Sequence, residues 1–125
     1  MNEITQTVGL HIGNITLRSA KFAVLAEEDN SGKRLRTQQE SQVLRQEGGK
    51  LEVMQRLRVD GFSGEKHIWE AVCEHVGQFQ VDTNCTIPMQ QIIEVHAPSY
   101  LYSFGRELVA DLARRSLKLL VLPPA

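Results

Sequence analysis

The side chains best suited to bind a metal ion in this sequence are four histidines and two cysteines. Cys73 and His75 lie two residues apart and would share one face of a strand, which makes them a weak pair of ligands. A structural zinc site needs four ligands at close spacing, and the rest of this set is scattered along the chain. We therefore expect packed or solvated histidines, reduced thiols, and no metal or other cofactor. The full set is His11, His67, Cys73, His75, Cys85 and His96.

A pair of carboxylates is the other candidate for chemistry. Glu107 and Asp111 are one helical turn apart, a spacing at which two carboxyl groups could share acid and base roles. Arg114 and Arg115 follow closely, so a solvated helix face explains the pair more simply. The sequence contains no glycine-rich phosphate loop, nucleophile elbow or zinc-protease motif. We expect no catalytic residue and no enzyme activity.

The composition is that of one globular domain spanning residues 1–125. With 42% hydrophobic residues, 23% charged residues and a net charge of −1, the chain lacks the basic excess of a nucleic-acid binder. The basic cluster at residues 33–36 lies among acidic and polar residues and is read as a solvated loop. No apolar run reaches membrane-spanning length, and the first residues lack a basic-then-apolar leader. These features predict a cytoplasmic protein without membrane insertion.

The C-terminal part of the chain predicts a long helix over residues 99–115. Pro98 precedes it, Ser99 is the expected N-cap, and basic residues crowd its far end. The predicted apolar face consists of Tyr100, Leu101, Phe104, Leu108 and Leu112, at helical spacing. A second, shorter helix is predicted to open at Pro88.

The first two thirds of the chain predict a sheet of four strands. The expected strands cover residues 7–27, with a bulge at Gly13-Asn14, and residues 39–46, 50–60 and 66–81. Gly48-Gly49 can form a tight hairpin turn, residues 61–65 another turn, and residues 27–33 a loop. The fourth strand has apolar residues on both faces, so both faces should be covered. The fold class is α+β, a four-stranded antiparallel sheet followed by a short and a long helix.

The stretch that opens the long helix carries a family resemblance. Pro98, Leu101, Tyr102, Phe104, Arg106 and Glu107 match, position by position, a motif of the SecB export chaperones. Residues 77–81 resemble the end of that family's fourth strand, and Leu122-Pro123-Pro124 resembles the segment after its long helix. The sequence therefore resembles the SecB family over nearly its whole length. The resemblance implies the fold above and a homo-oligomer, a dimer of dimers forming a tetramer.

Three departures from the SecB pattern bear on function. SecB chaperones continue into a second long helix and a tail that contacts SecA, whereas this sequence stops at Ala125, so we do not expect direct contact with SecA. The chain is near neutral where well-known members are acidic. Residues 29–38, which correspond to a client-binding crossover region, contain no aromatic residue, so client binding is expected to be reduced or altered.

The resemblance implies an ATP-independent chaperone that holds unfolded or partly folded chains in apolar grooves. The alternative is a SecB-fold adaptor or inhibitor that binds one dedicated partner, for example an antitoxin or a mobile-element target. The candidate client-binding residues are Met54, Phe62, Trp69 and Phe79, each of which could instead belong to the core, the preferred reading for Trp69 and Phe79. The candidate oligomer interface consists of Tyr100, Phe104, Leu108 and Leu112.

Overall fold

The structure, a computed structural model, describes residues 9–117. Four strands are followed by a continuous helical segment, and within the described range no helix is both long and apolar enough to cross a membrane. The strands are β1 (Leu10–Val24), β2 (Lys33–Glu47), β3 (Lys50–Ser63) and β4 (Lys66–Val81). The helical segment consists of α1 (Met89–Gln91), a π-helical turn (Ile92–His96) and α2 (Ala97–Leu117).

The strands form one antiparallel sheet in the order β1-β4-β3-β2. β1 and β2 are consecutive in the chain yet lie at opposite edges, so residues 25–32 cross from one edge to the other. Two short backbone hydrogen bonds hold this crossover against the end of the β3–β4 hairpin: Leu25 N–H to the Ile68 carbonyl (2.8 Å) and Gly64 N–H to the Gly32 carbonyl (2.7 Å). At the other end, Gly48 and Gly49 both have positive φ, as a tight hairpin turn requires.

The helical segment covers one face of the sheet, here called the helix face. Alternate β3 and β4 residues point toward it and form two neighbouring clusters, one around Trp69 and one around Phe79. The opposite face, here called the open face, carries the charged alternates of β3. Val72 and Val76 are half-buried there, so the helical segment covers one side of β4, where the sequence predicted cover on both.

Most sequence predictions of the elements are confirmed. The fold class is the predicted one, β4 has the expected bounds, and β1 contains the bulge expected at Gly13-Asn14. The bounds of three strands differ from the prediction: β1 ends at Val24 instead of residue 27, β2 begins at Lys33 instead of residue 39, and β3 continues to Ser63, which shortens the predicted turn. Lys33 to Val43 pair without a break with β3, and this pairing turns a stretch read as loop into strand.

The helix boundary is the other correction. Ser99 is not an N-cap, because α2 begins at Ala97 and follows the π-helical turn without interruption. The Ser99 hydroxyl instead donates to the Val95 carbonyl at 2.7 Å, one turn back. The predicted motif at residues 122–124 and the first residues, where the sequence predicted no leader, lie outside the described residues.

Candidate protein-binding site

A groove of about 350 Å³ runs between β2 and the helical segment on the helix face. The apolar part of its wall comes from one β2 residue, one β3 residue, the π-helical turn and the start of α2. Polar side chains of β2 form the opposite rim. We call it the β2 groove, and it is lined by Gln39, Ser41, Gln42, Val43, Val53, Ile93, Glu94 and Pro98.

One buried amide, that of Gln55, connects the two sides of this groove. Gln55 lies on the helix face of β3 with 2% of its surface exposed. Its Nε2 donates to the Pro98 carbonyl at 3.0 Å and to the Gln39 Oε1 at 3.2 Å. Both acceptor residues line the groove, so this amide ties the edge strand to the first turn of α2.

The outer edge of β2 lies beside the groove. β2 is the last strand in the sheet order and pairs only with β3 among the described residues. The N–H and C=O groups on its outer side are therefore free to pair with an extended chain. From Lys33 to Val43 the pairing with β3 has no register shift, so this edge is regular over the length of the groove.

A second apolar surface lies on the side of the molecule nearest β1. Leu17 and Ile12 are 46% and 39% exposed, and Tyr100 and Phe104 of α2 are 45% and 43% exposed. Leu17 is paired in register with His75, whose ring centroid lies 6.3 Å from that of Phe104, so strand and helix contribute to one continuous surface. We call these four residues with His75 the β1–α2 surface.

His75 and Cys73 are buried under α2. Burial lowers the pKa of His75 below its ordinary value, so the ring is neutral at neutral pH and packs as an aromatic group beside Phe104. Burial also raises the pKa of the Cys73 thiol to about 11. Both cysteines are free thiols, as expected from the sequence, and Cys73 is protonated and poorly reactive at neutral pH.

The open face carries a buried ion-pair network centred on Asp60, which has no exposed surface. Arg58 donates from Nε and Nη2 to the two Asp60 oxygens at 3.0 and 3.1 Å, and from Nη2 to Glu70 at 2.8 Å. His67 Nε2 lies 2.8 Å from Asp60. Burial alone would raise the pKa of Asp60, but the hydrogen bonds from Arg58 and His67 outweigh burial and hold that pKa below its ordinary value.

Three side chains of this network, Asp60, His67 and Glu70, have potential ligand atoms within 4.8 Å of one another. The Arg58 guanidinium already bonds both carboxylates, so the positive charge that they need is supplied by the protein itself. We interpret the cluster as a structural ion-pair network that joins β3 to β4.

The four predicted client-binding residues lie on different faces of the sheet. Trp69 and Phe79 are 1% and 3% exposed on the helix face, each inside one of the two core clusters. Met54 is half-buried on the open face. Phe62 is 8% exposed, with the guanidinium of Arg34 lying 4.3 Å from its ring centroid. A role for these residues in binding a client stays a prediction, and the structure does not bring the four together.

The predicted oligomer residues divide in a similar way. Tyr100 and Phe104 are exposed on the β1–α2 surface, whereas Leu108 packs partly against the cluster around Trp69. Leu112 is half-buried on the same helix. Their role in assembly stays a prediction, for which Tyr100 and Phe104 have the more accessible positions.

Sequence reasoning missed the β2 groove. Its residues come from separate stretches of the chain, and most of the β2 contribution is polar. One signal was present: Gln55 interrupts the apolar alternation of Leu51, Val53, Leu57 and Val59 in β3. A polar residue at a core position needs a buried partner, and here the partners lie at the groove.

No protein-family model matches this chain, and no curated protein sequence matches it. Among solved structures, the chain is similar to the Mycobacterium tuberculosis SecB-like chaperone Rv1957, in its complex with a ChAD peptide from the Rv1956 HigA1 antitoxin. The TM-score is 0.76, with 19% sequence identity over 98% of this chain and 95% of that one. At this identity the similarity concerns the fold. The resemblance predicted from the sequence is confirmed at that level, and the chain has a SecB-like fold.

Proposed function

We propose that this protein is a chaperone that holds extended segments of other protein chains without using ATP. The observation that carries the proposal is the β2 groove, with its apolar wall, beside an edge strand whose outer side has no partner among the described residues. An extended segment placed there pairs its main chain with β2 and directs every second side chain into the groove. Main-chain pairing gives affinity with little dependence on sequence, and the groove adds apolar contact.

The energy available from such a groove is modest. Each Å² of apolar surface removed from water contributes roughly 25 cal/mol, and the bound segment loses conformational freedom. A groove of about 350 Å³ lies near the small end of ligand sites, which run from about 300 to 1,000 Å³. Several grooves in one assembly would hold one client more tightly than a single groove.

The β1–α2 surface supports the second part of the proposal, a homo-oligomer that we expect to be a tetramer. Its four large side chains are each more than a third exposed, and Leu17 and Phe104 both adjoin His75. Contiguous apolar surface of this kind commonly marks an interface between protein chains. A second copy of the chain would cover it and leave the β2 edge of each protomer free. We place this assembly in the cytoplasm, where its two cysteines would stay reduced.

A dedicated adaptor is the alternative function. The groove is small and has a polar rim that includes Gln39 and Glu94, so it suits one matched segment as well as a series of apolar clients. The solved relative is bound to a peptide from one antitoxin, which makes a single protein partner a reasonable second candidate for this chain.

Refolding of an unrelated, slow-folding denatured protein in the presence of this protein tests the two functions. At equimolar protein and without nucleotide, a holding chaperone delays refolding. Val43→Asp places a carboxylate in the groove wall and should abolish the delay. Val24→Asp is the matched control, because Val24 is 56% exposed near the end of β1 and lies outside the groove lining.

A delay that Val43→Asp removes and Val24→Asp preserves supports the holding chaperone. If wild-type protein delays no denatured protein but captures one partner from its own host, and Val43→Asp prevents that capture, the adaptor is correct. A delay that survives Val43→Asp in a folded variant contradicts the groove as the binding site.

A further inference from the structure

The open-face side chains of β2 form a row that contains one basic and one acidic residue separated by a glutamine. Arg36, Gln38 and Glu40 are at alternate positions of the strand and point to the same side of the sheet, away from the β2 groove. All three are exposed. This row lies immediately beside the free outer edge of the strand.

Each charged member of the row faces an opposite charge on β3. Arg36 is paired in register with Asp60, and Glu40 with Arg56. Opposite charges facing each other on neighbouring strands stabilise a sheet, whereas like charges destabilise it. A fifth strand would therefore continue this pattern best with an acidic side chain opposite Arg36 and a basic one opposite Glu40.

Both charges are accessible to such a strand. The Arg36 side chain is 56% exposed, and its single contact with Asp60 is a long one, 3.4 Å from Nη2. Among the described residues its other guanidinium nitrogens have no hydrogen-bond acceptor, so they can donate to an added strand. Glu40 is exposed and has no cation within 4.0 Å in residues 9–117.

We propose that the β2 edge selects an antiparallel segment with a basic side chain opposite Glu40 and an acidic side chain four residues later, opposite Arg36. The segment carries apolar side chains opposite Gln39 and Ser41, which line the β2 groove, and opposite Thr37, which points to the same helix face. The inference rests on the proposed function and names the chemistry of the partner. The antiparallel direction follows that of every pair in the sheet.

Two fluorescently labelled peptides of the same composition test this register. The matched peptide has the order apolar, Lys, apolar, Gln, apolar, Glu, and the exchanged peptide has Glu and Lys in each other's place. By fluorescence anisotropy at low salt, wild-type protein should bind the matched peptide about tenfold more tightly, since two attractive cross-strand pairs become two repulsive ones. High salt should reduce this preference because the pairs are exposed.

The variant Glu40→Lys should bind both peptides equally, because each then makes one attractive and one repulsive pair. Glu40 faces Arg56 across the strands but forms no salt bridge with it, and both side chains are exposed, so the repulsion that a lysine adds there is weak and should not unfold the chain. Glu27→Lys makes the same charge change at an exposed position in the crossover and should keep the preference of the wild type.

Equal binding of the two peptides by wild-type protein would overturn the charge register and leave groove binding intact. A preference that persists in Glu40→Lys would also overturn it. If wild-type protein binds neither peptide and delays no refolding, both the register and the proposed function are wrong.

Discussion

The Gln55 side chain of β3 and the Pro98 carbonyl of α2 are joined by a hydrogen bond of 3.0 Å at the end of the β2 groove. The same amide nitrogen also bonds Gln39 on the edge strand. The sheet, its edge and the helix therefore meet at one buried side chain. Because two of these residues line the groove, its shape depends on a group that no bound partner would touch.

Replacing Gln55 by methionine should weaken the fold and the groove together. The change keeps a similar volume and removes both hydrogen bonds, so we expect the free energy of unfolding to fall by about 1–2 kcal/mol. Binding of the matched peptide should weaken because Gln39 and the start of α2 are no longer held. Urea unfolding and fluorescence anisotropy measure the two effects. The control Gln38→Met changes an exposed amide on the open face, and equal effects of the two variants would contradict a role for Gln55.

The Asp60 network predicts a dependence of stability on pH. The folded-state pKa of Asp60 lies below its ordinary value, so the charged carboxylate stabilises the fold. This contribution is fully present above the unfolded pKa of about 3.9 and is lost as the pH falls through the lower folded-state pKa. Asp60→Asn should reduce the free energy of unfolding by about 2–3 kcal/mol at neutral pH, since Arg58 keeps a charge without its main partner.

Urea unfolding between pH 2 and 7 checks this prediction. The stability difference between wild type and Asp60→Asn should stay constant above about pH 4 and shrink at lower pH. Glu74→Gln is the matched control, because Glu74 is on the same face and has no ion pair with the described residues. A difference that is the same at pH 2 and pH 7 would contradict the assigned role of the Asp60 charge.

The sheet was largely predictable from the sequence, because alternation is strong where one face is buried. In β4, buried and half-buried residues alternate from Ala71 to Gly77, and its predicted bounds are confirmed. The edge strand was harder to predict. Residues 33–38 of β2 have one apolar side chain, Leu35, so their strand character comes from pairing with β3 and not from their own pattern.

The candidate site was less predictable than the fold. Aromatic residues were selected because they offer large apolar area, yet the same property draws Trp69 and Phe79 into the core. The groove is built from Val43, Val53 and Ile93, ordinary apolar residues whose meeting depends on sheet order and on where α2 begins. Neither the order of the strands in the sheet nor the start of α2 follows from the local spacing of apolar residues.

Phe104→Asp should dissociate the proposed oligomer without unfolding the protomer. Phe104 is 43% exposed, so a carboxylate stays hydrated in the single chain and loses its hydration only when a second chain covers the β1–α2 surface. Light scattering should report a smaller particle, with unchanged circular dichroism. Ser103→Asp adds the same charge at the neighbouring exposed position and should leave the assembly less affected. An unchanged particle mass for Phe104→Asp would exclude this surface as the interface.

Gly61→Ala should destabilise the protein, because the indole ring of Trp69 lies directly against Gly61 in the paired strand and occupies the space of a side chain there. Trp69 is 1% exposed and stacks on Phe22, with ring centroids 5.3 Å apart, so it has no room to move away. We expect a loss of about 1–3 kcal/mol from overpacking. Gly32→Ala is the control, since an added Cβ meets no atom within 4 Å, and its effect should stay within about 0.5 kcal/mol. Trp69 is the only tryptophan, so its fluorescence follows urea unfolding of both variants directly. Equal stability of the two variants would show that the β3–β4 core relaxes around a methyl group at this position.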